Sequence, residues 1–167
     1  IILSSSFGLY TWMNNPESQM VAVTVKAGSK AEMALPDGTF VHLNAATNLE
    51  YDVNNSKQRL VKLSGEAFFD VAKNPDCPFK VIINDLQIEV VGTSFNVKTY
   101  KKDIVETSLL SGRIRISGGS LPHEYTLSPG QKATYSAMDK TLRISKADAH
   151  VEAGWRDNYL IFESTPL

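Results

Sequence analysis

The residues of this chain that could do chemistry are few and scattered. Glu66 and Asp70, in "GEAFFD", come nearest to a catalytic pair. On a strand they share a face, with Cα atoms about 13 Å apart. A two-carboxylate glycosidase holds its carboxyl groups roughly 5–10 Å apart, usually from different strands. The expected role is therefore structural: Glu66, Phe68 and Asp70 face outward or toward a neighbouring loop, and Ala67, Phe69 and Val71 fill the core. His42, His123 and His150 stand too far apart for a metal-ligand spacing such as H-x-H or H-x-x-x-H. His42 alternates with Val41 and Leu43 and points to the solvent side of its strand.

Cys77, the single cysteine, lies between Pro75 and Pro78 in a loop. It has no partner for an internal disulfide or a cysteine-based zinc site, and it says nothing about compartment. Ser94, in "GTSFN", lacks the following glycine of a nucleophile elbow. Neither a P-loop nor a Gly-x-Gly-x-x-Gly opening a helix is present. Asn54 begins an "NNS" sequon that is equally a plain turn, and "NNSKQR" and Lys101-Lys102-Asp103 read as polar loop tips. The residue types thus offer no catalytic site, no metal site and no cofactor.

The elements that must position these residues are strands. Between Met20 and Lys146 no window keeps apolar residues at helical spacing while avoiding Gly and Pro. Period-two runs abound instead. "VAVTVKA" puts Val21, Val23 and Val25 on one face, and "FVHLN" follows Asp37-Gly38, a dipeptide suited to a tight hairpin. "RLVKLSG" and "EAFFDVA" flank Ser64-Gly65, and "FKVIIN" and "LQIEVVG" flank Asn84-Asp85. "SFNVKTY", "IVETSLL", "RIRIS", "EYTLS", "KATYSA" and "TLRIS" complete the series, with turns at Ser111-Gly112, Pro129-Gly130 and Asp139-Lys140. This spacing predicts an all-β fold, an antiparallel sandwich or roll of about a dozen short strands, with a compact β-solenoid as the alternative. Short loops make most consecutive strands antiparallel neighbours.

At 167 residues the chain is long enough to bury roughly two thirds of its unfolded surface without disulfides. Its 17 basic and 18 acidic residues leave a net charge of −1, which disfavours nucleic-acid binding. Ile1 to Trp12 carries no charge yet falls short of the roughly 20 residues that cross a bilayer. It reads either as the last turns of a transmembrane helix, with Tyr10 and Trp12 at the interface, or as a buried N-terminal element. At the other end a strand-like Tyr159–Phe162 precedes Ser164-Thr165-Pro166, a helix-opening signal.

The order of the turn motifs resembles a known family. "VTVKAGSKAEMALPDGTFVHLNAATNLEY", "LSGEAFFDVAKNPDCPFKV", "VGTSFNVKTY", "TSLLSGRIRIS" and "LSPGQKATY" are similar to successive signatures of FecR proteins, transmembrane regulators of extracytoplasmic-function sigma factors, in the form common in Bacteroidetes. These motifs read as scaffold. Gly28, Gly38, Gly65, Gly92, Gly112 and Gly130 serve turns, Pro36 and Pro129 pre-set φ, Asn44 and Asn96 form Asx-type bonds, and Phe69, Phe95 and Tyr100 anchor the core. His42 stands where the family often has an aromatic such as Trp, and Ser111 where an acidic residue is common.

The resemblance implies three segments. Residues 1–12 would be the end of a truncated transmembrane helix, 13–150 a periplasmic β-domain, and 151–167 the start of a truncated C-terminal domain. It further implies a place at the periplasmic face of the inner membrane. The domain would relay a signal from a TonB-dependent outer-membrane transporter, met through the C-terminal domain, to a sigma factor bound by a cytoplasmic region. No enzyme activity and no cofactor are implied, and partner-binding residues stay unassigned. The alternative is a β-module binding a glycan or an iron chelate, for which Tyr51, Phe68 and Tyr125 are the loose candidates.

Overall fold

In the computed structural model, residues 19–53 and 59–157 are described. Fourteen strands form two seven-stranded sheets. The first sheet takes the order β1 (Met20–Val25), β4 (Thr47–Asp52), β5 (Arg59–Ser64), β7 (Phe79–Ile83), β8 (Leu86–Val90), β11 (Ile114–Gly118) and β12 (Tyr125–Leu127). Starting from its opposite edge, the second runs β2 (Ala31–Ala34), β3 (Phe40–Leu43), β6 (Glu66–Asp70), β9 (Ser94–Lys98), β10 (Ile104–Ser111), β13 (Gln131–Ser136) and β14 (Thr141–Lys146). A short helix α1 (Ala149–Glu152) and a 3-10 turn (Gly154–Asp157) follow.

Neither sheet closes on itself, so the sandwich expectation holds and the solenoid alternative falls. Period-two burial drives the layering: Val61, Leu63, Val81, Ile83 and Ile88 of the first sheet and Val41, Phe69, Phe95, Val97 and Leu109 of the second share one core. Phe69 bridges the two layers, its ring 5.3 Å from Phe95 and 5.9 Å from Phe79. The two strands beyond the expected dozen are β2, which completes the hairpin across Asp37-Gly38, and β4.

Both sheets are laid down in chain order, because the chain alternates between them. Turn motifs therefore mark crossings from sheet to sheet as well as hairpins. Of the six signature glycines, Gly28, Gly65, Gly92, Gly112 and Gly130 stand at such crossings, and only Gly38 sits in a hairpin. The expectation that consecutive strands are mostly antiparallel neighbours fails at these corners. β5 and β7, neighbours in the first sheet but not consecutive in the chain, pair in parallel because β6 has gone to the other sheet.

Gly65 shows why a corner needs glycine. Its φ is +115°, and a Cβ there would lie 2.5 Å from Thr47 Oγ1 and 2.6 Å from Thr47 Cα. Thr47 Oγ1 accepts from the Glu66 N–H at 3.0 Å, and Thr99 Oγ1 accepts from the Gly65 N–H at 2.7 Å. Two threonines thus satisfy the backbone where it leaves the first sheet.

Arg59 corrects the reading of "NNSKQR" as a polar loop tip. Its side chain is only 3% exposed. The guanidinium donates to the carbonyls of Cys77 (2.6 Å), Ala72 (2.7 Å) and Asn74 (3.2 Å), and to the Asp37 carboxylate. Residues 54–58 and the Asn54 sequon lie outside the described residues, as do the expectations for residues 1–12 and Tyr159–Phe162.

Candidate functional site

The two sheets present unlike outer faces. That of the first is open and laced by ion pairs such as Glu50–Lys62 and Lys80–Glu89. That of the second is covered. One residue from each of its strands forms a single row across it: Glu32, His42, Phe68, Asn96, Ser108, Lys132 and Ser145. Phe68, Asn96 and Ser108, in the middle of the row, are buried although they point away from the core.

The cover is the C-terminal segment, which crosses the strands along this row. Lys132 Nζ donates to Glu152 of α1 at 2.9 Å and lies 3.4 Å from Glu106. Trp155 Nε1 donates to Asn96 Oδ1 at 3.3 Å. The Arg156 guanidinium sits 4.4 Å from the centre of the Phe68 ring, a cation–π contact worth about 0.5–2 kcal/mol. Beyond the row, the Trp155 carbonyl accepts from Lys30 Nζ, and the Lys30 ammonium lies 5.8 Å from the indole centre. Residues 149–157 thus form a strap from the last hairpin back to the corner between β1 and β2.

Beneath the strap lies a polar knot. Glu66 accepts from Asn44 Nδ2 at 2.7 Å and from Asn96 Nδ2 at 3.0 Å. Tyr100 donates its hydroxyl to the Ala45 carbonyl at 2.6 Å. Burial pushes the Tyr100 pKa up, the Thr47 hydroxyl works against that, and the Glu66 carboxylate adds to it. At Lys132 burial works to lower the pKa, but the bonds and charges of Glu152 and Glu106 outweigh it, and the net shift is upward. Among the described residues no buried side-chain polar atom lacks a partner. The knot holds structure together.

Glu66, Phe68 and Asp70 do point away from the core, but only Asp70 is exposed, bonded by Ser94 Oγ at 2.7 Å. Ala67, Phe69 and Val71 are buried in the core as expected. His42 sits edge-on between Phe40 and Phe68, with Nδ1 3.2 Å from Glu32. His123 stacks on Tyr125 at 4.4 Å, and the His150 side chain is outside the description. No His, Cys, Asp and Glu cluster among the described residues could hold a metal.

Asn44 makes its Asx bond, its Oδ1 accepting from the Ala45 N–H, whereas Asn96 spends its amide on Glu66 and Trp155. Phe69 and Phe95 anchor the core, but Tyr100 is 44% exposed and does not. Tyr51 in β4, Phe68 in β6 and Tyr125 in β12 belong to distant strands and form no stacking platform. A hollow of about 330 Å³ on the first sheet is lined by Asn48, Glu50, Lys62, Leu63, Ser64, Ile82 and Asn84, without an aromatic ring. The strap itself went unread in the sequence. Its signal was "EAFFD", a strand with bulky apolar residues on both faces, which requires a cover on each.

Residues 21–115 match the family model described as FecR protein. Two crystal structures of a candidate anti-sigma factor from Parabacteroides distasonis ATCC 8503 are similar to the chain, each at 31% identity. One gives a TM-score of 0.80 over 89% of this chain and 70% of the other; the second gives 0.79 over 87% and 69%. No curated protein matches the chain. Among the described residues, no helix is long and apolar enough to cross a membrane.

Proposed function

Because the chain belongs to the FecR family, whose role is regulatory rather than catalytic, we propose that it is the periplasmic β-domain of a membrane-anchored anti-sigma regulator that works through its strap. In this reading a TonB-dependent outer-membrane transporter is met through the chain beyond Asp157. A sigma factor is held by a cytoplasmic region ahead of the membrane helix. The β-domain stands between them at the periplasmic face of the inner membrane.

The observation that carries this reading is the seat of Trp155. Its carbonyl and ring both meet Lys30, the last residue of the loop that joins β1 to β2, and its indole N–H meets Asn96. Where the chain leaves the sandwich, it touches the corner that follows the strand by which it enters. A pull on the segment after Asp157 reaches β1 through this one contact, without passing through the body of the sandwich.

The test places Trp155→Ala in the full-length regulator and reads sigma-dependent transcription with and without inducer. The expected result is at least a several-fold loss of the induced response. A core variant of matched melting temperature, such as Val105→Ala, should keep the response. Normal induction with Trp155→Ala would sink the strap as a relay.

A further inference from the structure

Among the described residues, the four edge strands of the two sheets are not protected alike. An exposed edge is a template for another strand, and proteins ordinarily blunt it with charge, proline or shortness. β2 has four residues and carries Glu32, β12 has three and follows Glu124, and β14 carries Arg143 and Lys146. β1 has six, Met20 to Val25, with neither a charge nor a proline. It is firmly paired on its other side: six consecutive residues are in register with β4, and Gln19 is bonded to Asp52. Its core-facing Val21 and Val23 are only half-buried, unlike the core-facing residues of the inner strands.

We propose that two copies of this chain pair through β1, antiparallel, so that the two first sheets become one continuous sheet. A second copy fits this edge better than an unlike partner. A two-fold axis needs a single self-complementary patch, and β1 meets its own image without opposing like charges. β14 paired in the same way about its middle would set Arg143 against its own copy. Among the described residues the nearest charge beside β1 in the sequence is Lys26, which lies outside the strand. Val21 and Val23 of each copy would cover those of the other, a favourable β-branched cross-strand pairing.

Pairing near the middle of β1 keeps each residue on its own face, so Ala22 comes opposite Ala22 or Thr24 of the partner subunit. Both positions are exposed in the monomer. The test is sedimentation velocity over a concentration series on the 167-residue chain, with Ala22→Lys/Thr24→Lys and Ala22→Glu/Thr24→Glu as variants and thermal melts as the check on folding. The wild type should dimerise. Each variant alone should dimerise at least tenfold more weakly, since like charges face each other across the interface. An equimolar mixture of the two should recover a dimer. A wild type that stays monomeric overturns the proposal, and so does a dimer that both charge variants leave unchanged, which would place the contact elsewhere.

Discussion

Arg59 and Asp37 meet at 3.2 Å inside the protein, and their pairing ties the first hairpin of the second sheet to the start of β5, while the other donors of Arg59 hold the loop between β6 and β7. Asp37 also accepts from the N–H and hydroxyl of Thr39, and the Ala72 N–H donates to that hydroxyl. The arginine closes this circle by donating to the carbonyls of Ala72, Asn74 and Cys77.

Replacing Arg59 with Met should therefore cost about 3–5 kcal/mol, the range for breaking a buried ion pair from one side. Lysine should rescue little of it, because a single ammonium cannot reproduce the planar fork. Urea unfolding of the two variants and the wild type decides. A loss under about 1 kcal/mol for Arg59→Met would mean that water serves the carbonyls as well.

Glu66 makes a second test beneath the strap. Glu66→Ala leaves the amides of Asn44 and Asn96 without their acceptor, at an expected cost of about 1–3 kcal/mol. Glu66→Gln turns one acceptor into a donor facing another donor, so it should recover less than half of that. Because Asn96 also holds Trp155, both variants should speed hydrogen exchange in residues 149–157. Unchanged exchange there would separate the knot from the strap.

Gly65 and Gly28 allow backbone strain to be told from crowding. Gly28 has φ +79° with nothing within 4 Å of the place a Cβ would take, whereas at Gly65 that place lies 2.5 Å from Thr47. Gly28→Ala should cost about 1–2 kcal/mol from its left-handed conformation alone. Gly65→Ala should cost about 2–5 kcal/mol, since strain and overpacking add. Equal melting temperatures for the two variants would show that the Thr47 corner gives way.

Lys132 supplies a pH dependence. Its folded pKa lies above the unfolded one, so its ion pairs contribute stability that is complete below the unfolded value and lost as pH rises through the folded value. The melting temperature of Lys132→Met should fall below that of the wild type at neutral pH. The gap should close above the ordinary lysine value of about 10.4. A gap that persists undiminished at high pH would assign the effect to packing of the aliphatic stem instead.

Strand positions and turn chemistry were legible in the residues because both are local. Asp37-Gly38 and Asn84-Asp85 read as hairpins and are hairpins. Ser64-Gly65 carries an equally good turn signal but sends the chain to the other sheet. A turn sets how the backbone reverses, while the partner of the next strand is set by burial against residues far away in sequence. Arg59 misled for a related reason: polar neighbours suggest solvent, but its donors were matched by carbonyls of a loop about fifteen positions downstream. The burial of Phe68 and Asn96 needed Trp155 and Arg156, 59 and more residues later, to come back over them.

The unbroken chain order of both sheets bears on how the domain is made. Each new hairpin or strand docks on an edge that its predecessors have already completed, so synthesis from the N-terminus can be followed by assembly in the same direction. The strap is the exception. Its seat on Lys30, Phe68 and Asn96 is ready early, but its own residues are made after β14. Seating Trp155 is then the closing event of assembly, and a truncated or misregistered sandwich would lack it. The contact doubles as a mark of a finished domain.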